Sequence, residues 1–104
     1  MKQIETGHDP STMATALEQL CDAFAVLDTR RVCESFLQDL CTPSELEALA
    51  DRWRVVPLLM ERVPYRRINE ITGVSVTTIG RVARFLESGN NGYRTAYERL
   101  REKS

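Results

Sequence analysis

Apolar side chains recur at intervals of three and four residues through most of the chain, a spacing typical of helices that bury one face. The first such stripe steps by 4, 3, 4 and 3 and consists of Met13, Leu17, Leu20, Phe24 and Leu27. It predicts a first helix over residues 11–27. Asp28 or Thr29 is expected to cap a second helix that ends near residue 40.

The clearest predicted helix start lies at Thr42-Pro43-Ser44-Glu45. Threonine at the cap, proline at the first helical position and glutamate three residues after the cap form a capping box. The apolar period then runs to Met60, beyond Pro57, which removes one backbone hydrogen bond. We therefore predict a third helix that is kinked at Pro57 and ends before Val63-Pro64.

Two shorter helices are predicted on either side of Gly73. The fourth runs from about residue 65 to 71 or 72, and the fifth from a Ser75 cap to about residue 88. The sequence Gly-Asn-Asn-Gly at 89–92 indicates a loop, and a sixth helix follows over residues 93–101. No segment reads as a strand, so the predicted class is all-α with about six helices. Residues 1–10 show no period and are predicted to be a flexible tail that contains His8, with a single helical domain over residues 11–104.

The segment "ITGVSVTTIGRV" (71–82) resembles a corner between two helices in a helix-turn-helix. Glycine adopts the left-handed conformation that such a turn needs, and Ser75 can cap the next helix. Ile79, Val82 and Leu86 are spaced to face the core. The other side carries small residues near the helix start, where a recognition helix reaches base edges, and arginines further along, which suit phosphate contacts.

Charge is distributed unevenly along the chain. The net charge of the 104 residues is −1, yet residues 1–60 carry a net −5 and residues 61–104 a net +4. A local basic patch can bind phosphate in a protein that is neutral overall. We therefore predict that double-stranded DNA is contacted by Arg66, Arg67, Asn69, Ser75, Val76, Thr77, Gly80, Arg81 and Arg84.

Other functional classes find little support in the sequence. No paired carboxylates, glycine-rich phosphate loop or nucleophile–base set is present, so we expect no enzyme and no cofactor. The three cysteines, Cys21, Cys33 and Cys41, have spacings that match no zinc site, and we expect them to be buried reduced thiols. Without a signal peptide or a membrane-spanning run, the expected location is the cytoplasm and no membrane is expected as a partner.

Three segments together resemble the tryptophan repressor superfamily, and its YerC/YecD branch in particular. They are "LCTPSELEALADRWRVV", "YRRINEITGVSVTTIGRV" and "FLESGNNGYRTAYERL". The resemblance covers about residues 12–101. It implies an intertwined, all-helical homodimer whose N-terminal helices interlock, with two helix-turn-helix heads. Asn69 departs from such motifs, which usually carry alanine where the two helices meet.

The resemblance also implies where a ligand pocket would lie. In the tryptophan repressor an indole is held between two arginines, which Arg52 and Arg81 match, and Thr42 and Thr78 match two threonines nearby. Val82 stands where the repressor has a glycine, and Phe85 replaces a small hydroxyl residue. Both substitutions add volume, so we expect a vestigial pocket that is filled by the chain itself and no control by tryptophan. The sequence gives little support for another small-molecule effector and names none.

The sequence therefore favours a DNA-binding transcriptional regulator that acts as a homodimer and does not depend on tryptophan. Two alternatives remain: a dimeric helical module that binds another protein, and an RNA-binding protein. A steep loss of duplex affinity with added salt separates the first hypothesis from the protein-interaction module.

Overall fold

The computed structural model describes residues 9–103, and every regular element in that range is an α-helix. The helices are α1 (Pro10–Ala25), α2 (Arg30–Leu40), α3 (Pro43–Met60), α4 (Tyr65–Thr72), α5 (Val76–Ser88) and α6 (Gly92–Lys103). The prediction of an all-α chain with about six helices is confirmed. The helices form two compact units that divide between Cys41 and Thr42.

The first unit contains α1 and α2. Asp9 caps α1 by accepting a hydrogen bond from the backbone N–H of Thr12 at 3.4 Å, and Pro10 is the first helical residue. The helix therefore begins one residue earlier than predicted, and the last two residues of the predicted tail belong to the helix start. Residues 1–8, including His8, lie outside the described part of the chain. A hydrogen bond from the Ser11 side chain is the main cause that lowers the pKa of the Asp9 carboxyl.

The apolar stripe of α1 remains largely exposed. Phe24 packs edge-on against Phe36 of α2, with ring centroids 5.1 Å apart, but no residue of either helix is buried. Leu17 is 61% exposed. Cys21, one turn after Leu17, lies on the same exposed face, so the expectation of a buried thiol is wrong for this residue. Cys33 and Cys41 are half-buried and, like Cys21, form no disulfide.

The second unit begins with the predicted capping box. The backbone N–H of Thr42 donates to Glu45 Oε1 at 2.8 Å, and the N–H of Glu45 donates to Thr42 Oγ1 at 3.2 Å. Helix α3 continues through Pro57 to Met60, as predicted. Its residues Val55 and Val56 are fully buried.

The core of the second unit lies where α3, α4 and α5 meet. Its buried residues are Val55, Val56, Ile68, Val74, Ile79 and Val82. Trp53, Tyr93 and Tyr97 pack against this cluster, so α6 is held against the core by its tyrosines. Because α4 and α5 both contribute to the core, the corner between them is fixed to a packed frame.

Candidate nucleic-acid interface

Gly73 forms the corner between α4 and α5 in the predicted left-handed conformation. Its φ is +77°, and its N–H donates to the carbonyl of Asn69 at 2.8 Å. A Cβ built on Gly73 meets no atom of residues 9–103 within 4 Å. The requirement for glycine therefore comes from the backbone conformation and not from crowding.

Side chains of α4 satisfy both backbone groups of Val74, the residue after the corner. Asn69 Nδ2 donates to the Val74 carbonyl at 2.8 Å, and the Val74 N–H donates to Thr72 Oγ1 at 3.0 Å. The Thr72 hydroxyl in turn donates to the Ile68 carbonyl at 2.7 Å. Asn69 thus has a structural role in the turn, and its predicted contact with DNA stays a prediction. Sequence reasoning missed Thr72, although threonine two residues before an N–H at a turn is a known local bonding pattern.

Arg54 ties α3 to the end of α4. Its Nη1 donates to the carbonyl of Thr72 at 3.1 Å and lies 3.9 Å from the carboxylate of Asp51. A cation beside the last carbonyls of a helix also complements the helix dipole. Sequence reasoning missed this residue as well, because the contact spans 18 positions.

Ser75 caps α5 as predicted. Its Oγ accepts a hydrogen bond from the Thr78 N–H at 3.1 Å and donates to Thr78 Oγ1, also at 3.1 Å. The hydroxyl therefore fixes the start of α5, the part of a recognition helix that lies nearest to the bases.

Helix α5 has one buried and one open face. Ile79 and Val82 are 0% and 1% exposed, and Leu86 is half-buried, as predicted. Thr77, Arg81 and Arg84 are exposed, and their spacing of four and three residues places them on one face. We call this the outer face of α5; it also includes Gly80 and is bordered by Val76, which is 53% exposed.

Three of the predicted arginines keep their guanidinium groups available. Arg66, Arg81 and Arg84 make no hydrogen bond or ion pair with any side chain of residues 9–103 and are exposed. Arg67, by contrast, binds the carboxylate of Glu70 at 3.3 Å. Two open arginines thus lie on α5 and one near the start of α4.

A cleft of about 540 Å³ opens beside Arg52 and Arg81. The residues that line it are Arg52, Arg81, Val82, Phe85, Asn90, Gly92 and Tyr93. A second cavity, of about 320 Å³, is lined by the same two arginines and in addition by Thr78. The structure therefore brings together Arg52, Thr78 and Arg81. Thr42 lines neither cavity, and its hydroxyl serves the capping box.

The cleft is open, which corrects the expectation that Val82 and Phe85 fill it. Val82 is buried in the core, and Phe85 stands at the wall of the cleft with 48% of its surface exposed. Asn90, Gly92 and Tyr93, which sequence reasoning did not assign to any site, form the rest of the wall.

Comparison with known proteins identifies the family. The chain matches the sequence profile described as Trp repressor protein over residues 15–101. This chain belongs to the Trp repressor family. It is also 40% identical over 86 residues to the uncharacterized protein YerC of Bacillus subtilis (strain 168), a match that covers 83% of each chain.

Two solved structures have the same fold. A TrpR-like protein from Eubacterium eligens is 41% identical with a TM-score of 0.77, over 83% of this chain and 89% of the other. A candidate Trp repressor from Staphylococcus aureus is 34% identical with a TM-score of 0.79, over 97% and 96% of the two chains. The chain is thus a YerC-type, Trp-repressor-like protein, and α4, the Gly73 corner and α5 form its helix-turn-helix.

Residues 9–103 lack two other kinds of feature. No group of three or more histidine, cysteine or acidic side chains lies close enough to hold a metal ion. No helix in that range has the length and apolar character needed to span a membrane.

Proposed function

We propose that this Trp repressor family member is a transcriptional regulator that binds double-stranded DNA through α5 and acts as a homodimer. The observation that carries the proposal is the outer face of α5, where Thr77, Gly80, Arg81 and Arg84 lie together and neither guanidinium has a partner among residues 9–103. Such a face offers positive charge without an internal ion pair that would have to be broken.

The two ends of the outer face serve different purposes. Val76 and Thr77 lie in the first turn of α5 and are small, so the helix can approach base edges there. Arg84 lies two turns later and contacts the phosphate backbone, which gives affinity without sequence preference. Arg66 on α4 contacts the backbone on the other side of the groove.

The homodimer accounts for the exposed apolar stripe of α1. Met13 and Leu17 are 49% and 61% exposed, and Val32 of α2 is 42% exposed. Covering such surface stabilises an assembly by roughly 25 cal/mol per Å², and a symmetric partner presents the same stripe. Two subunits place two copies of α5 on half-sites separated by about one helical turn of DNA.

DNA binding proceeds without tryptophan. The chain's own hydrogen bonds hold the corner: Asn69 donates to the carbonyl of Val74, the N–H of Val74 donates to the Thr72 hydroxyl, and Arg54 donates to the carbonyl of Thr72. Helix α5 therefore needs no ligand to set its position. Phe85 at the wall of the cleft also gives the site beside Arg52 and Arg81 an aromatic surface where the tryptophan repressor has a small hydroxyl residue.

The experiment starts with selection of a preferred duplex from a random library, followed by fluorescence anisotropy over a range of salt concentrations. Arg84→Ala and Arg66→Ala are expected to weaken binding to all sequences and to reduce the salt dependence by about one phosphate contact each. Thr77→Ala is expected to change the selected sequence. Arg99→Ala, which removes an exposed arginine of α6, is the matched control and should bind as the parent does.

Two outcomes would overturn the proposal. One is a parent protein that binds no duplex at low salt. The other is a set of α5 variants that all bind as the parent does. A duplex RNA of the selected sequence serves as the competing ligand, and tighter binding to it than to the DNA would favour the RNA-binding alternative.

A further inference from the structure

A second basic cleft lies along a different flank of α5 from the cleft that Arg52 lines. It has a volume of about 400 Å³ and is lined by Arg62, Tyr65 and Arg94 together with Ala83 and Glu87 of α5 and parts of α3. Resting on the DNA-binding function proposed above, we propose that this cleft seats a phosphate of the DNA backbone, which Arg62, Tyr65 and Arg94 bind.

Arg62 is held at the mouth of the cleft by an unusual backbone conformation. It lies in the turn between α3 and α4 with a φ of +65°, and its N–H donates to the carbonyl of Leu59 at 3.0 Å. The left-handed conformation costs a residue other than glycine roughly 1–2 kcal/mol. The Arg62 guanidinium makes no hydrogen bond or ion pair within residues 9–103, so the turn presents an unsatisfied positive charge.

Arg94 forms the inner wall. Its Nη2 donates to the carbonyl of Leu86 at 3.3 Å, and its Nη1 lies 3.8 Å from the sulfur of Met60. The side chain is half-buried and is therefore fixed against α3 and α5. A guanidinium has five N–H donors in a planar fork, so these two contacts leave donors for an oxyanion.

Tyr65 connects the cleft to the outer face of α5. A Cβ built on Gly80 would lie 3.9 Å from Tyr65 Cε2, so the ring lies beside that glycine. The Tyr65 hydroxyl has no hydrogen-bond partner among residues 9–103. Tyrosine O–H groups are common donors to phosphate oxygens in protein–DNA interfaces.

The position of the cleft favours the DNA backbone as the source of the phosphate. Gly80 lies on the outer face, while Ala83 and Glu87 line the cleft three and seven residues later on the same helix. When α5 enters a groove, the strand that borders the groove passes along this flank. Two arginines against one glutamate leave the cleft net positive, and planar guanidinium groups match phosphate geometry.

Arg62→Ala and Tyr65→Phe test the proposal, because both side chains are exposed and neither holds the core. Arg94 is unsuited, since its loss would also free α6. On the selected duplex, Arg62→Ala is expected to lose about tenfold in affinity, equally for all sequences, and to reduce the salt dependence by about one contact. Tyr65→Phe is expected to weaken binding several-fold with an unchanged salt dependence. Arg99→Ala remains the control, and melting temperatures verify that each variant is folded.

Replacement of single phosphates by uncharged methylphosphonates identifies the contact directly. At one backbone position per half-site, this replacement is expected to lower the affinity of the parent protein. The same replacement is expected to leave the affinity of Arg62→Ala unchanged. If the parent binds DNA and both variants keep its affinity and salt dependence, the phosphate seat is wrong while the proposed function stands. A change of sequence preference in Arg62→Ala would also contradict the proposed phosphate contact, because such a contact affects all sequences equally. A parent that binds no duplex overturns both proposals.

Discussion

Gly80 offers a substitution that should stabilise the fold and weaken DNA binding at the same time. It lies inside α5 on the outer face, and Gly80→Ala adds one methyl group there. Outside the α5 backbone, the atom of residues 9–103 that comes within 4 Å of the added Cβ is Tyr65 Cε2 at 3.9 Å, which is an ordinary van der Waals contact. The substitution therefore introduces no overpacking.

The expected gain comes from the backbone. Alanine in a helix interior is more favourable than glycine by roughly 0.5–1 kcal/mol, because glycine loses more conformational freedom on folding. In a domain of this size about 1 kcal/mol shifts the melting temperature by roughly 4–8 °C. Thermal unfolding followed by circular dichroism, at one fixed protein concentration, should thus show a rise of a few degrees.

DNA binding is expected to respond in the opposite direction. The methyl group stands on the face that approaches the groove, so Gly80→Ala should weaken binding to the selected duplex. A lower melting temperature would refute the packing argument. A higher melting temperature with unchanged DNA affinity would show that Gly80 lies outside the interface.

Gly73→Ala is the matched control for the stability argument. A Cβ added at Gly73 would likewise clash with nothing, since no atom of residues 9–103 lies within 4 Å of it, but the φ of Gly73 is +77°. The same chemical change should therefore destabilise the protein by roughly 1–2 kcal/mol. If both variants moved the melting temperature in one direction, backbone conformation would not be the cause of either effect.

Three further predictions concern the dimer, the corner and the effector. Light scattering at tens of micromolar should give a dimer mass, and Leu17→Glu, which puts a charge on the exposed stripe of α1, should give a monomer; a monomeric parent would contradict the dimer. Asn69→Ala removes the hydrogen bond to the half-buried carbonyl of Val74 and should lower the free energy of unfolding by roughly 1–3 kcal/mol in urea titrations, while unchanged stability would show that the bond contributes nothing net. Millimolar tryptophan should leave the DNA affinity unchanged in fluorescence anisotropy, because hydrogen bonds within the chain already hold the corner, and a tryptophan-dependent rise in affinity would contradict independence from the effector.

The helices and the corner could be predicted because their signals are local. The capping box at Thr42, the αL glycine at position 73 and the Ser75 cap each depend on residues within one turn of the chain. The predicted start of α1 is one residue late because two neighbouring local signals compete there. Ser11 is a good cap, but Asp9 followed by Pro10 is a better one, since proline is favoured at the first helical position.

The contacts that fix the corner could not be predicted with the same ease. Arg54 reaches Thr72 across 18 positions, and Arg94 reaches Leu86 and Met60 from another helix. Arginine is common on helix surfaces, so nothing in the sequence distinguishes a guanidinium that ties two helices together from one that faces solvent. The basic cleft at Arg62 and Arg94 could not be predicted either, because its two arginines look like ordinary surface residues in the sequence.

The pocket beside Arg52 and Arg81 shows why added volume does not by itself predict a filled site. Val82 is three residues after Ile79, and this spacing turns both side chains to the core, so the methyl groups of Val82 occupy the interior. Phe85 is one turn after Arg81 and forms a wall of the cleft instead of a plug. The proposed independence from tryptophan therefore cannot rest on lost space. The proposal rests instead on the corner itself, where the hydrogen bonds of Asn69, Thr72 and Arg54 hold the α4–α5 turn from within the chain.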